Sequence, residues 1–142
     1  MIQLSVDSGD LLLKFHSDIT FVQAAMEIIR TVLEYLKVAD PTNVLLISRE
    51  IIKNAVVHGN QNDRSKEVVY RMFRLAQDRF KLEVEDSGSG IGLDSGESAM
   101  KQWPKQLKSD EIRGRGFTII SSLSEQVSFN ERGNKITVVL NA

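Results

Sequence analysis

The chain has 142 residues, with 42% apolar and 26% charged side chains, a composition that builds a packed core and excludes a disordered polymer. Lys and Arg number 18 against 19 Asp and Glu, so no bulk positive charge exists to hold duplex nucleic acid. Cysteine is absent and only His16 and His58 supply imidazoles, which excludes disulfides and thiolate metal sites and disfavours a His-rich one. The longest apolar run is Val44–Ile47 and the N-terminus lacks a basic and apolar leader, so a soluble cytoplasmic protein, without membrane or direct nucleic-acid contact, is expected.

In chain order, Ile2, Leu4 and Val6 alternate with polar residues, Ser8-Gly9-Asp10 makes a turn, and Leu11, Leu13 and Phe15 alternate again. This predicts a β-hairpin. Asp18 can cap a helix to about Lys37, with Phe21, Ala25, Ile28, Ile29, Val32 and Leu36 at helical spacing. Asp40-Pro41-Thr42 breaks the chain. A second helix is predicted from Thr42 to about His58, with Gly59 as its C-terminal stop and residues Asn60–Lys66 as a polar loop.

Strands are predicted over Val68–Leu75 and Phe80–Glu85, joined at Ala76-Gln77-Asp78-Arg79. The segment Asp86-Ser87-Gly88-Ser89-Gly90-Ile91-Gly92 follows, then a stretch of weak periodicity over Leu93–Ile112. Such a stretch in a compact domain is a functional loop or a disordered one. Arg113-Gly114-Arg115-Gly116 precedes a short helix from Phe117 to about Leu123. Two last strands, Val127–Asn130 and Ile136–Leu140, flank the turn Glu131–Asn134. The order β-β-α-α-β-β-loop-α-β-β predicts an α/β two-layer sandwich of helices on one face of a mixed β-sheet.

Three segments carry polar groups in places that invite a ligand. The second helix is apolar nearly all round, yet Glu50 and Asn54 fall one turn apart on one side, and His58 extends that stripe. Polar groups on a buried helix need partners. The plainer explanation is a surface strip in which Glu50 pairs with Lys53. In Asp86–Gly92, alternate glycines let main chain approach a ligand closely, and an Asp at a strand end can accept a hydrogen bond from an exocyclic amine. The segment is neither a dinucleotide fingerprint nor a P-loop, because a long loop follows it and no Gly-Lys-Ser/Thr closes it. Finally, Lys101–Arg115 holds five basic residues against two acidic ones, and glycines and arginines before a helix suit a polyphosphate.

Taken in order, these segments resemble the boxes of the GHKL ATPase superfamily. Glu50-Ile51-Ile52-Lys53-Asn54-Ala55-Val56-Val57-His58-Gly59 is similar to the N box, Asp86–Gly92 to the first glycine box, and Arg113–Phe117 to the second. The Asn-Ala-x-x-His-Gly ending and the Gly-Phe-Thr-Ile-Ile run look most like the bacterial anti-sigma-factor serine kinases. The likeness spans about residues 10–140.

The resemblance implies a Bergerat ATP-binding fold in a single histidine-kinase-like ATPase domain over 1–142, with an ATP lid at about 93–112. It implies that Asp86 receives the adenine amino group, and that Asn54 binds the Mg²⁺ carried by the phosphates. Gly88, Gly90, Gly114 and Gly116 would close backbone over the nucleotide, with His58, Ile91 and Phe117 lining it and Arg113 or Arg115 reaching the γ-phosphate. Glu50 would be the general base for an incoming serine hydroxyl. The implied partners are a STAS-type antagonist as substrate, a sigma factor, and a second copy in a homodimer, with the Ile2–Phe15 hairpin as a candidate edge. The alternative is a nucleotide-dependent binding module that sequesters a partner without catalysis. A histidine kinase is disfavoured, because no dimerisation helix precedes residue 10, and His58 reads as a site wall rather than a phosphoacceptor. Asn134 stands where relatives often carry threonine, and Arg115 where they carry an apolar residue.

Overall fold

The computed structural model describes residues 2–88 and 118–142. Strand β1 (Ile2–Asp7) pairs with β2 (Asp10–His16) across a turn in which Ser8 and Gly9 take φ of 51° and 90°. Helix α1 (Ile19–Tyr35) starts where the Asp18 carboxylate accepts from the Thr20 N–H at 3.0 Å, satisfying a donor that the first turn leaves free. Helix α2 (Thr42–Asn54) starts after Pro41, with Asp40 accepting from the Thr42 N–H at 3.1 Å. Strands β3 (Glu67–Ala76) and β4 (Arg79–Asp86) form the second hairpin. Residues 118–123 form a helical turn, α3, and β5 (Gln126–Phe129) and β6 (Lys135–Asn141) close the chain.

The six strands lie in the order β1-β2-β3-β4-β6-β5. Leu11, Leu13 and Phe15 of β2, Tyr70 and Met72 of β3, Phe80 and Leu82 of β4, and Val138 and Leu140 of β6 are almost wholly buried. Their period of two puts them on one face. Helix α1 covers β2, and α2 covers β4 and β6, contributing Ala25, Ile29 and Leu33 and Val44, Ile47 and Ile52 to the same core. The expected two-layer α/β sandwich is thus the fold. It departs from expectation in one respect: among the described residues every pairing is antiparallel, where a mixed sheet was expected. Between β2 and β3 the chain runs through two antiparallel helices, which return it to the end it left, so β3 must run back against β2.

At its far edge β1 carries Leu4 and Val6 on the core-facing side, paired with Leu13 and Leu11. Both are about half exposed, at 54% and 46%. Among the described residues, no helix is long and apolar enough to cross a membrane.

Candidate functional site

The end of β4 and the end of α2 meet at one edge of the sandwich. Helix α2 does not stop at Gly59 as an α-helix. Its α-helical part ends at Asn54, and Ala55–Gly59 form a π-helical turn, closed by the Asn60 N–H on the Ala55 carbonyl at 2.8 Å. Wider turns of this kind leave carbonyls that need other donors. The Val56 carbonyl receives two, from the buried Ser17 hydroxyl at 3.2 Å and the Asn62 N–H at 2.8 Å. The α-helical stripe Glu50, Asn54, His58 therefore holds from Glu50 to Asn54 and is re-phased before His58.

Gly59 has a different reason to be glycine than the one sequence suggests. Its φ is not in the left-handed region. A Cβ on Gly59 would instead fall 2.1 Å from Asp86 Oδ2. Likewise a Cβ on Gly88 would fall 2.0 Å from the Gly59 carbonyl oxygen and 2.9 Å from Asp86 Oδ1. Bare backbone is required at both positions so that the π turn and the residues after β4 can touch. Gly88 thus serves this contact in the described structure. The sequence marks Gly59 as a helix stop and as the ending of the N-box pattern, and neither signal points to this contact.

Asp86 is held in place by main-chain and side-chain bonds. Its N–H donates to the Asn134 carbonyl at 2.9 Å, and its carbonyl accepts from Asn134 Nδ2 at 2.8 Å. Asn134 is itself buried and fixed by Asn130 through two bonds of 2.8 and 3.0 Å. In this chain, then, the residue at the position read as threonine in relatives clamps the backbone of Asp86. The Asp86 carboxylate accepts from the Gly88 N–H through Oδ1 at 2.8 Å. Among the described residues Oδ2 has no hydrogen-bond partner. Burial pushes the carboxyl above its ordinary value of 3.8, the Gly88 N–H opposes that shift, Glu85 adds to it, and Lys66 and Arg132 oppose it. Arg132 also donates to the Gly88 carbonyl at 3.1 Å. The result is a semi-buried acceptor with one oxygen fixed and one oxygen open, suited to a neutral donor such as an amine.

At the last α-helical position of α2, Asn54 Nδ2 is buried without a hydrogen-bond partner among the described residues. A buried amide N–H left unpaired costs stability, so this position calls for an external acceptor. Glu50, half-buried one helical turn earlier, makes no hydrogen bond or ion pair among the described residues. The Glu50–Lys53 pair of the plainer explanation is not formed. No group of three or more His, Asp or Glu side chains capable of holding a metal occurs among the described residues. A cation here would need oxygen ligands from elsewhere. The amide of Asn54 fits that need, offering its carbonyl oxygen to a hard cation and its unpaired N–H to a neighbouring anion.

Of the sequence-predicted residues, Asp86 and Gly88 meet the π turn that carries His58, and Glu50 and Asn54 lie on the helix that leads into it. Gly90, Ile91, Arg113, Gly114, Arg115, Gly116 and Phe117, with the segment 93–112, lie outside the described residues. Sequence reasoning missed Asn60, which it left in a polar loop, and the part played by Asn134.

Comparison with known proteins bears on this geometry. The chain is similar to proteins named anti-sigma F factor: one from Clostridium perfringens, 27% identical over 99 residues, covering 70% of this chain and 69% of that protein; one from Clostridium acetobutylicum, 28% identical over 115 residues and 78% of each chain; and one from Anoxybacillus flavithermus, 29% identical over 114 residues, covering 77% and 76%. The model of the histidine kinase-like ATPase domain matches residues 15–140, which takes in both long helices, the π turn, Asp86 and Asn134. By that match the chain belongs to the histidine kinase-like ATPase domain family, whose ligand is ATP.

Proposed function

We propose that this chain is a cytoplasmic, single-domain ATP-dependent serine protein kinase of the partner-switching type, with a Bergerat ATP site. Its substrate is a STAS-type antagonist protein, and it sequesters a sigma factor. The observation that carries this reading is a fixed acceptor, Asp86, packed against the end of the helix on which the Asn54 amide nitrogen is buried and unpartnered, one helical turn from an unpaired carboxylate, Glu50. The likeness to proteins named anti-sigma F factor supports the choice of partners. The half-exposed row Leu4 and Val6 on edge strand β1 is where a second copy would add, giving a homodimer.

Each residue then has a task that its surroundings suit. Asp86 Oδ2 accepts from the adenine amino group, which distinguishes adenine from a base that presents a carbonyl there. Asn54 holds Mg²⁺ through its carbonyl oxygen. The ion supplies charge neutralisation on the phosphates when bound. Glu50 takes the proton from the serine hydroxyl as its oxygen bonds to the γ-phosphorus, while the bond to the ADP oxygen breaks. His58 lines the site. The lid at 93–112, the glycines of both boxes, Ile91, Phe117 and Arg113 or Arg115 complete the pocket in this reading. Phosphoryl transfer depends mainly on alignment and charge compensation.

Transfer of label from γ-labelled ATP to a STAS-type antagonist tests the proposal. Wild type should label the antagonist on serine, and Glu50→Ala should bind ATP with unchanged affinity while losing transfer by at least about a hundredfold. Undiminished transfer by Glu50→Ala removes Glu50 as the base. ATP binding without transfer to any antagonist reduces the protein to a nucleotide-dependent binding module.

A further inference from the structure

Asn60 follows the π-helical turn directly, and its side chain is fully buried. Both halves of its amide are used. Nδ2 donates to the Glu67 carbonyl at the start of β3, at 3.0 Å. Oδ1 accepts from the Ser87 N–H, one residue past Asp86, at 2.8 Å. One side chain therefore joins the end of the α2 turn, the first residue of β3 and the residue after Asp86. Each partner is a backbone group, so the Asn60 side chain alone decides whether these two bonds form.

The chain bends unfavourably to keep Asn60 there. Gln61 and Asn62 are consecutive non-glycine residues with φ of 54° and 59°, a region that asparagine tolerates and glutamine avoids. That path turns the Asn62 N–H back onto the Val56 carbonyl. Strain of this sort persists only where the surroundings over-determine it.

Without Asn60, the Ser87 N–H loses its acceptor, and residue 87 keeps only the weaker 3.3 Å bond from its hydroxyl to the Glu67 carbonyl. Asn134 and Arg132 hold Asp86 and Gly88 from the β6 side. Asn60 supplies the hold from the α2 side, where Asn54 and Glu50 lie. We infer that Asn60 is a positioning residue of the nucleotide site, setting Asp86 against the end of α2; this rests on reading that junction as the ATP pocket.

Two variants separate positioning from plain structural support. Asn60→Ala loses both side-chain bonds. Asn60→Asp keeps an acceptor for the Ser87 N–H but sets an oxygen against the Glu67 carbonyl. Titration calorimetry with Mg²⁺-ATP and melting without nucleotide are measured on both and on wild type. Asn60→Ala should weaken ATP binding by about tenfold or more. Asn60→Asp should melt at or below Asn60→Ala yet bind ATP within about threefold of wild type. Affinities that follow the melting order, or an Asn60→Ala affinity within about twofold of wild type, overturn the inference. If Asn60→Ala does not fold, Asn60→Ser, too short to reach both backbone groups, takes its place under the same criteria. Absence of ATP binding by wild type is a different result, and it removes the ATP pocket itself.

Discussion

The Gly59 backbone lies against the Asp86 carboxylate so closely that a Cβ on Gly59 would stand 2.1 Å from Oδ2 and 2.4 Å from Cγ. The end of α2 and the end of β4 therefore touch, and a single added methyl group would force them apart. Gly59→Ala should cost about 1–3 kcal/mol of stability, as overpacking of a close contact does. It should also weaken ATP binding by about tenfold or more, because Asp86 must move for the methyl to fit. Denaturant unfolding and a nucleotide titration on the same protein check the two effects.

Asp86→Asn should separate stability from binding. The amide keeps an oxygen for the Gly88 N–H, and it removes the negative charge that burial disfavours at this position. The open atom then becomes an NH₂ donor, which faces the adenine amino group donor to donor. The variant should melt no lower than wild type at neutral pH, while its ATP affinity falls by about tenfold or more. An unchanged affinity would remove Asp86 from base recognition.

The same carboxyl sets a pH dependence. Because burial raises Asp86 above its ordinary 3.8, the folded protein holds that proton more tightly than the unfolded chain does. Stability contributed at this site is complete below 3.8 and is lost as pH rises through the raised value. ATP affinity runs the other way, since the ionised form is the better acceptor, and it falls as pH drops through that window. Asp18, Asp40 and Asp63 are lowered by hydrogen bonds from Thr20, Thr42 and Ser65, with the opposite sign. The informative quantity is therefore the difference in melting temperature between wild type and Asp86→Asn, followed across acidic pH. The variant's advantage should grow as pH rises.

Much of this architecture is legible in sequence because it is built from local signals. Asp18 caps α1 as a short acceptor before a helical run must, and the alternation in Leu11–Phe15 and Phe80–Val84 sets which face of the sheet is buried. The junction is legible only through its motifs, since its contacts are long-range. Asn60 binds the backbone of Glu67 and Ser87, 7 and 27 residues away, and a buried asparagine bonded to main chain leaves no partner residue type to notice. The π turn is hidden for a related reason. Its Val56 carbonyl is satisfied by Ser17 and Asn62 from outside the turn, so Ala55–Gly59 keep ordinary helical composition, and Gly59 reads as a helix stop. The antiparallel sheet follows from counting helices between β2 and β3, which spacing alone leaves open.

Asn134→Ala should destabilise the junction from the β6 side. It removes the bond from Nδ2 to the Asp86 carbonyl and the one accepted from Asn130, while the backbone bond between Asp86 and Asn134 remains. A loss of about 1–3 kcal/mol is expected for leaving buried polar groups unpaired. Chemical denaturation of the variant, with wild type alongside, measures it.

Calorimetric titration of the wild-type protein with ATP in the presence of magnesium reaches the heart of the matter. Saturable heat at one nucleotide per chain, abolished or strongly weakened in Asp86→Ala, is the expected result. No heat and no rise in melting temperature at millimolar ATP would contradict it, and with it the kinase reading.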